Sequence, residues 1–230
     1  MVIRLLTLVA TLALLAGCES SQRWVYHQGM DFEKWRAGLE ERTVDTDDGL
    51  RWHVLQSADN AEAPAVLLIH GFGADSRNWV RFANELEGDY RFVIPDLPGH
   101  GDTEPRTTDM EYGISEQARR LFQLLDAMQL EQVHVAGNSM GGAIAIEMAQ
   151  PQRLRSLGLV DSAGITLQTP KFLNALEQSD SNPLIPHTAE EFHTTLEWAS
   201  ERSVGIPDFA ITLMGEEKAA NADVAEKVWQ

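Results

Sequence analysis

A mostly parallel β-sheet flanked by helices on both faces is the architecture this sequence predicts, and three observations predict it. Short apolar runs alternate with stretches at helical spacing from about Arg42 to Asp161, the pattern of repeated strand–helix crossovers. One run, Ala65 to Ile69, is apolar without interruption, as a strand covered on both faces should be. The composition, 43% hydrophobic and 23% charged, is apolar enough to build a core and excludes a disordered chain.

The elements follow in order. Arg42 to Val44 and Leu50 to Leu55 read as strands around an Asp47-Asp48-Gly49 turn. After the strand Ala65 to Ile69, Trp79, Phe82, Ala83 and Leu86 recur at helical spacing, with Gly88 placed to end that helix. Phe92 to Ile94 is the next strand. Ser115 is placed to cap a helix whose apolar face holds Ala118, Leu121, Phe122, Leu125 and Met128. Val133 to Ala136 reads as a strand, Gly141 to Ala149 as a helix stopped by Pro151, and Leu157 to Val160 as a strand. Beyond Asp161 no clear strand follows. Thr188 and Glu191 form a capping box, and Phe192, Leu196 and Ala199 then share a helical face. Pro183, Pro186 and Pro207 punctuate this stretch, which reads as a helical insertion lying over the sheet.

The N-terminus has a different character. Arg4 precedes an apolar run from Leu5 to Ala16, then Gly17 and Cys18. A positive start, a short apolar stretch and small residues at its end read as a secretory signal. The run is shorter than the ~20 apolar residues that span a bilayer. Leu15-Ala16-Gly17-Cys18 resembles the bacterial lipobox, which implies cleavage before Cys18 and a lipid on its sulfur. Glu19, in place of Asp, then implies sorting to the outer membrane. Cys18 is the only cysteine, so no intramolecular disulfide can form. The expected division is a signal peptide over 1–17, a lipid-anchored tether over 18–40, a core over 41–163 and a helical cap over 164–230. Trp24, Tyr26, Phe32 and Trp35 make the tether aromatic, so it either packs on the domain or touches lipid. The formal net charge of -17 disfavours nucleic acid as a partner and gives an anionic membrane nothing to attract.

Three loops carry the chemistry. Gly137-Asn138-Ser139-Met140-Gly141 fits G-x-S-x-G between a strand and a helix. There a sharp turn lifts the serine hydroxyl above the sheet and the helix N-terminus favours developing negative charge. Ser139 is the candidate nucleophile. His70-Gly71-Phe72-Gly73 follows the buried strand, where such enzymes keep a second oxyanion element, so the backbone N–H groups of Phe72 and Met140 are the expected oxyanion hole. His70 precedes the serine, against the usual order Ser, acid, His, and is expected to hold its loop. Asp96 to Gly101 is a tight loop with a Pro-Gly turn, and His100 belongs to it. No metal-ligand spacing, phosphate loop or dinucleotide fingerprint is present, so no cofactor is expected.

The order of these loops, continued by Leu159-Val160-Asp161-Ser162-Ala163-Gly164, resembles the α/β-hydrolase superfamily, most closely the cold-active bacterial lipases and monoacylglycerol lipases. The segments Asn182 to Pro186 and Glu190 to Phe192 resemble the cap of those lipases. The resemblance implies a serine ester hydrolase acting on acylglycerols or other acyl esters. It also implies a triad acid and histidine after the cap, hence a C-terminally truncated chain that is catalytically defective alone and exposes a sheet edge. Asp161, after a strand, is a weak candidate acid, and His187 and His193 sit in the cap. The competing readings are a non-catalytic envelope binding protein on the same scaffold, a serine C–C hydrolase and an aminoacyl peptidase. Haloalkane dehalogenases and epoxide hydrolases carry Asp where Ser139 stands, which disfavours them.

Overall fold

A computed structural model describes residues 19–57, 62–86, 90–165, 182–199 and 205–230. The signal-like stretch, Cys18 and Gly88 lie outside the described residues. Contacts divide the chain into two compact units. One takes the residues up to Glu33 with Asn174–Ala222, the other Lys34–Leu173 with Asp223–Gln230.

The described elements are helices α1 (Glu19–Arg36), α2 (Val80–Glu85), α3 (Ile114–Ala127), α4 (Met140–Glu147), α5 (Ala189–Ala199), α6 (Asp208–Ala219) and α7 (Ala222–Trp229), with strands β1 (Leu39–Asp45), β2 (Arg51–Ser57), β3 (Ala65–Ile69), β4 (Arg91–Pro95), β5 (Val133–Asn138) and β6 (Leu154–Val160). The strands form one sheet in the order β1-β2-β4-β3-β5-β6. The β1–β2 hairpin and the β2–β4 pair are antiparallel, and the remaining pairs are parallel. At the hairpin Asp45 faces Arg51, and Gly49 takes φ +84° in the turn, a conformation that glycine adopts without a Cβ clash.

β3 explains the layering. All five of its residues are buried, and successive side chains point to opposite faces. Ala65, Leu67 and Ile69 join one core with Leu121, Leu124 and Leu125 of α3 and Ile144 of α4. Val66 and Leu68 join a second core with Val80 and Ala83 of α2. Each fully buried Leu or Ile contributes about 1.5–3 kcal/mol, so helices on both faces hold this strand in place. Its C-terminal end feeds the His70 loop.

Local signals were realised in part. The apolar face of α3 is buried as the spacing predicts. Ser115 does not cap it: Gly113 is the N-cap, and the Ser115 hydroxyl, already inside the first turn, bonds Glu147 at 3.0 Å. The helix after β3 starts as a 3-10 turn, Ser76–Trp79, capped by the Asp75 carboxylate, and α2 ends at Glu85. β6 forms one edge of the sheet, and Leu157, Leu159 and Val160 are exposed there. An apolar edge strand is a surface on which another strand can add.

In the smaller unit, Glu191 N–H donates to the Thr188 hydroxyl (3.1 Å), and the Glu191 carboxylate accepts from His187 N–H (2.7 Å). This is the reciprocal bonding expected of a capping box, displaced by one residue on the return bond. Phe192 is buried and Leu196 half-buried. Gly215 lets α6 approach α5, since a Cβ there would lie 2.7 Å from the Ala189 Cα. The tether is helical as α1, with Arg23 paired to Glu19 and Glu216. Among the described residues, no helix is long and apolar enough to cross a membrane.

Candidate active site

Ser139 stands between the end of β5 and the first residue of α4, with φ 51° and ψ -117°. Such a conformation is strained for any residue with a Cβ, at a cost of ~1–3 kcal/mol. Hydrogen bonds hold it. Ser139 N–H donates to Val160 carbonyl oxygen (3.0 Å), and its own carbonyl accepts from Gly142, Ala143 and Ala163. The turn is tight because its glycines touch backbone. A Cβ on Gly141 would lie 2.3 Å from the Ile69 carbonyl oxygen and 2.4 Å from that of His70, and one on Gly137 would lie 2.1 Å from the Gly141 carbonyl oxygen. Backbone cannot swing aside as a side chain can, so Gly141→Ala is expected to cost about 3 kcal/mol or more, at the upper end of overpacking effects. Gly29→Ala, where nothing lies within 4 Å, should be neutral or stabilising in α1. Thermal unfolding of both variants checks this, and equal melting points would contradict it.

The His70 loop runs beside the serine. A Cβ on Gly71 would lie 3.2 Å from both the Ser139 Cβ and the Asn138 Oδ1. Phe72 follows, half-buried. Among the described residues, neither Phe72 N–H nor Met140 N–H donates a hydrogen bond to the protein. The Phe72 N–H follows the Gly71 contact with Ser139, and the Met140 N–H lies at a helix N-terminus, where the macrodipole adds to the attraction for an anion.

His70 is buried, and its two nitrogens are spoken for. Nε2 accepts from Leu97 N–H at 2.9 Å, which leaves Nδ1 as the protonated nitrogen that donates to the Gly71 carbonyl at 2.8 Å. The neutral ring therefore ties the Phe72 loop to the Asp96 loop. The His100 ring packs edge-on against His70 (5.1 Å) and Phe72 (5.9 Å), and Trp229 of α7 packs on Phe72 at 5.2 Å. The Phe72 side chain is held between two rings, and its backbone position with it.

The Asp96 loop has an electrostatic centre. The buried Asp96 carboxylate accepts from Ser76 N–H (2.7 Å), Asp102 N–H (2.8 Å) and His53 Nδ1 (2.9 Å). Burial would raise its pKa, but the His53 hydrogen bond and charge prevail and hold it below the usual carboxylate range. Burial would likewise lower His53, and the hydrogen bond and charge of Asp96 prevail to raise it. Ligand atoms of His53, Asp96 and Asp102 lie within 4.8 Å of one another. Both Asp96 oxygens already face N–H donors, which disfavour a cation there.

Of the other sequence candidates, Asp161 is exposed, in the left-handed region at φ 46°, just after β6. No histidine ring bonds its carboxylate among the described residues. In the same unit His53, His70, His100 and His134 pair with Asp96, Gly71 and Leu97, Pro98 and Ser156 respectively. None bonds the Ser139 hydroxyl. His187 is exposed and His193 half-buried, both in the smaller unit. Sequence reading missed the His53–Asp96 pair and the Trp229–Phe72 contact. The partners stand 43 and 157 residues apart, and no local spacing connects them.

Comparisons with known proteins place the fold in a family. A family model described as alpha/beta hydrolase fold matches residues 64–193, the stretch that holds all three loops. Lipase 3 of Moraxella sp. (strain TA144) is 34% identical over 204 residues, 86% of this chain and 63% of that lipase. Lipase 1 of Psychrobacter immobilis is 33% identical over 204 residues, with the same shares of each chain. The crystal structure of a membrane phospholipase A, described as a bacterial virulence factor, is 33% identical with a TM-score of 0.85, covering 100% of this chain and 74% of that one. The chain thus spans 63% of the length of the two lipases.

Proposed function

Because this chain belongs to the α/β-hydrolase fold family, we propose that it carries the nucleophile and oxyanion hole of a carboxylic ester hydrolase acting on acylglycerols or related acyl esters. Ser139 Oγ attacks the ester carbonyl carbon while its proton passes to a base. The tetrahedral oxyanion is held by Phe72 N–H and Met140 N–H. Collapse expels the alcohol, which takes a proton, and leaves the acyl group on Ser139, from which water then releases the acid. The observation that carries the reading is the strained Ser139 turn between β5 and α4, with the Gly71 backbone against its side chain. The similarity to two bacterial lipases supports a lipid ester as substrate.

A second reading, a non-catalytic binding protein on the same scaffold, draws support from one observation: each histidine of the larger unit is bonded elsewhere than to Ser139. A fluorophosphonate probe and a series of p-nitrophenyl esters separate the two. Ester hydrolysis requires covalent labelling confined to Ser139 and turnover lost with it. An unlabelled, folded chain that still binds acyl esters would favour the binding protein.

The cell envelope is the proposed location, with Cys18 lipidated and the chain sorted to the outer membrane. The support is Leu15-Ala16-Gly17-Cys18 followed by Glu19. Mass spectrometry of the protein from a bacterial host should find Cys18 as the N-terminus carrying diacylglycerol, and Cys18→Ser should keep the unprocessed leader. An unmodified thiol in a protein from the soluble fraction would refute the anchoring.

A further inference from the structure

α1 begins at Glu19, the residue after Cys18, so anything that fixes Cys18 to a bilayer sets this helix at the lipid surface. One face of the helix is exposed along its length: Trp24, His27, Gln28, Asp31, Phe32 and Trp35. These positions recur every three or four residues and so form one stripe. Its three aromatic residues are exposed to 45%, 55% and 73% in the order Trp24, Phe32, Trp35. Tyr26, Met30 and Glu33, on the opposite side, are half-buried. From Trp24 to Trp35 the stripe runs about 16 Å at the helical rise, so it meets a surface lengthwise.

The charges select the surface. The cations of α1 are each paired to a carboxylate: Arg23 to Glu19 and Glu216, Lys34 to Glu41, Arg36 to Glu85. The exposed face itself carries Asp31 as its one fixed charge, and the chain bears -17 overall. Anionic lipid would gain no free cation here. Tryptophan and phenylalanine partition favourably into the headgroup boundary of a neutral bilayer.

From this placement we infer that α1 is an interfacial helix that lies in the headgroup region of a zwitterionic phospholipid bilayer through Trp24, Phe32 and Trp35. The inference rests on the membrane attachment proposed above and adds a second, aromatic contact to it. It is tested on the full-length chain mixed with phosphatidylcholine vesicles brominated either near the headgroup or near the acyl terminus. Flotation is scored first, then quenching of tryptophan emission. Shallow bromine should quench the wild type, and deep bromine should not. Trp24→Phe/Trp35→Phe, which keeps two aromatic rings in place, should lose most of that quenching with an unchanged melting point, and added anionic lipid should not strengthen it. A chain that does not float overturns both proposals. A chain that floats overturns this one alone in any of three ways: quenching equal in the double variant, stronger quenching by deep bromine, or no quenching with cross-linked dimers on the vesicle, which would assign the stripe to a second copy.

Discussion

Where a base serves Ser139, Ser139→Ala is expected to abolish covalent labelling by a fluorophosphonate and to lower ester turnover by about 10³-fold or more, the scale of losing a serine nucleophile, while the fold stays intact. The rate should fall because no other hydroxyl occupies the turn between β5 and α4. The fold should survive because the bonds that hold the turn are made by the Ser139 backbone, to Val160, Gly142, Ala143 and Ala163. A companion variant sharpens the test. Ser139 holds a φ of 51°, and glycine relieves that strain. Ser139→Gly should therefore also lose labelling yet raise stability by up to ~1–3 kcal/mol, less the entropy a glycine gains on unfolding. Labelling that persists in Ser139→Ala would move the nucleophile elsewhere. A Ser139→Gly chain melting below Ser139→Ala would show that the turn holds no strain.

What the sequence made legible depends on distance along the chain. β3 could be read because double-sided burial leaves an unbroken apolar run, and the Ser139 turn because strand, glycines and helix lie within a few residues of each other. The capping box of Thr188 and Glu191 is local in the same way. Ser115 misled because a serine ahead of an apolar face fits a cap, whereas the helix is entered two residues earlier, at Gly113. The supports of the candidate site were not legible at all. His70 looked structural from chain order, but its hydrogen-bonding partner Leu97 lies 27 residues away. Asp96 looked like a loop residue, and only the sheet, by pairing β2 with β4, brings His53 onto its carboxylate. A carboxylate that organises three segments leaves no periodicity in the sequence, since its partners are mostly backbone N–H groups that any residue supplies.

Asp96 is where the largest loss of stability is expected. Its carboxylate holds the Ser76 turn, the Asp102 N–H and His53, while its carbonyl accepts from the Thr103 hydroxyl at 2.7 Å. Asp96→Ala leaves Ser76 N–H buried without an acceptor and His53 without its counter-charge, a defect worth about 3–5 kcal/mol. Asp96→Asn should be nearly as damaging, because an amide has one acceptor oxygen and must turn its NH₂ toward a donor on the other side. The pH dependence follows from the directions of the two shifts. Asp96 is held below its ordinary value of 3.8, so its contribution is present above that pH and is lost as pH falls through the lower folded value. His53 is held above its ordinary 6.5, so its contribution is complete below 6.5 and is lost as pH rises through the higher folded value. The pair therefore stabilises the fold most between about pH 3.8 and 6.5, and wild-type stability should decline above that window as His53 gives up its proton. His53→Ala and Asp96→Ala should each flatten this alkaline decline, and the double variant should be no worse than Asp96→Ala alone by more than the lost packing of the ring. Denaturant melts across that pH range measure all of it. An Asp96→Asn protein as stable as wild type, or an alkaline decline unchanged by His53→Ala, would show that this carboxylate does not organise the segments it bonds.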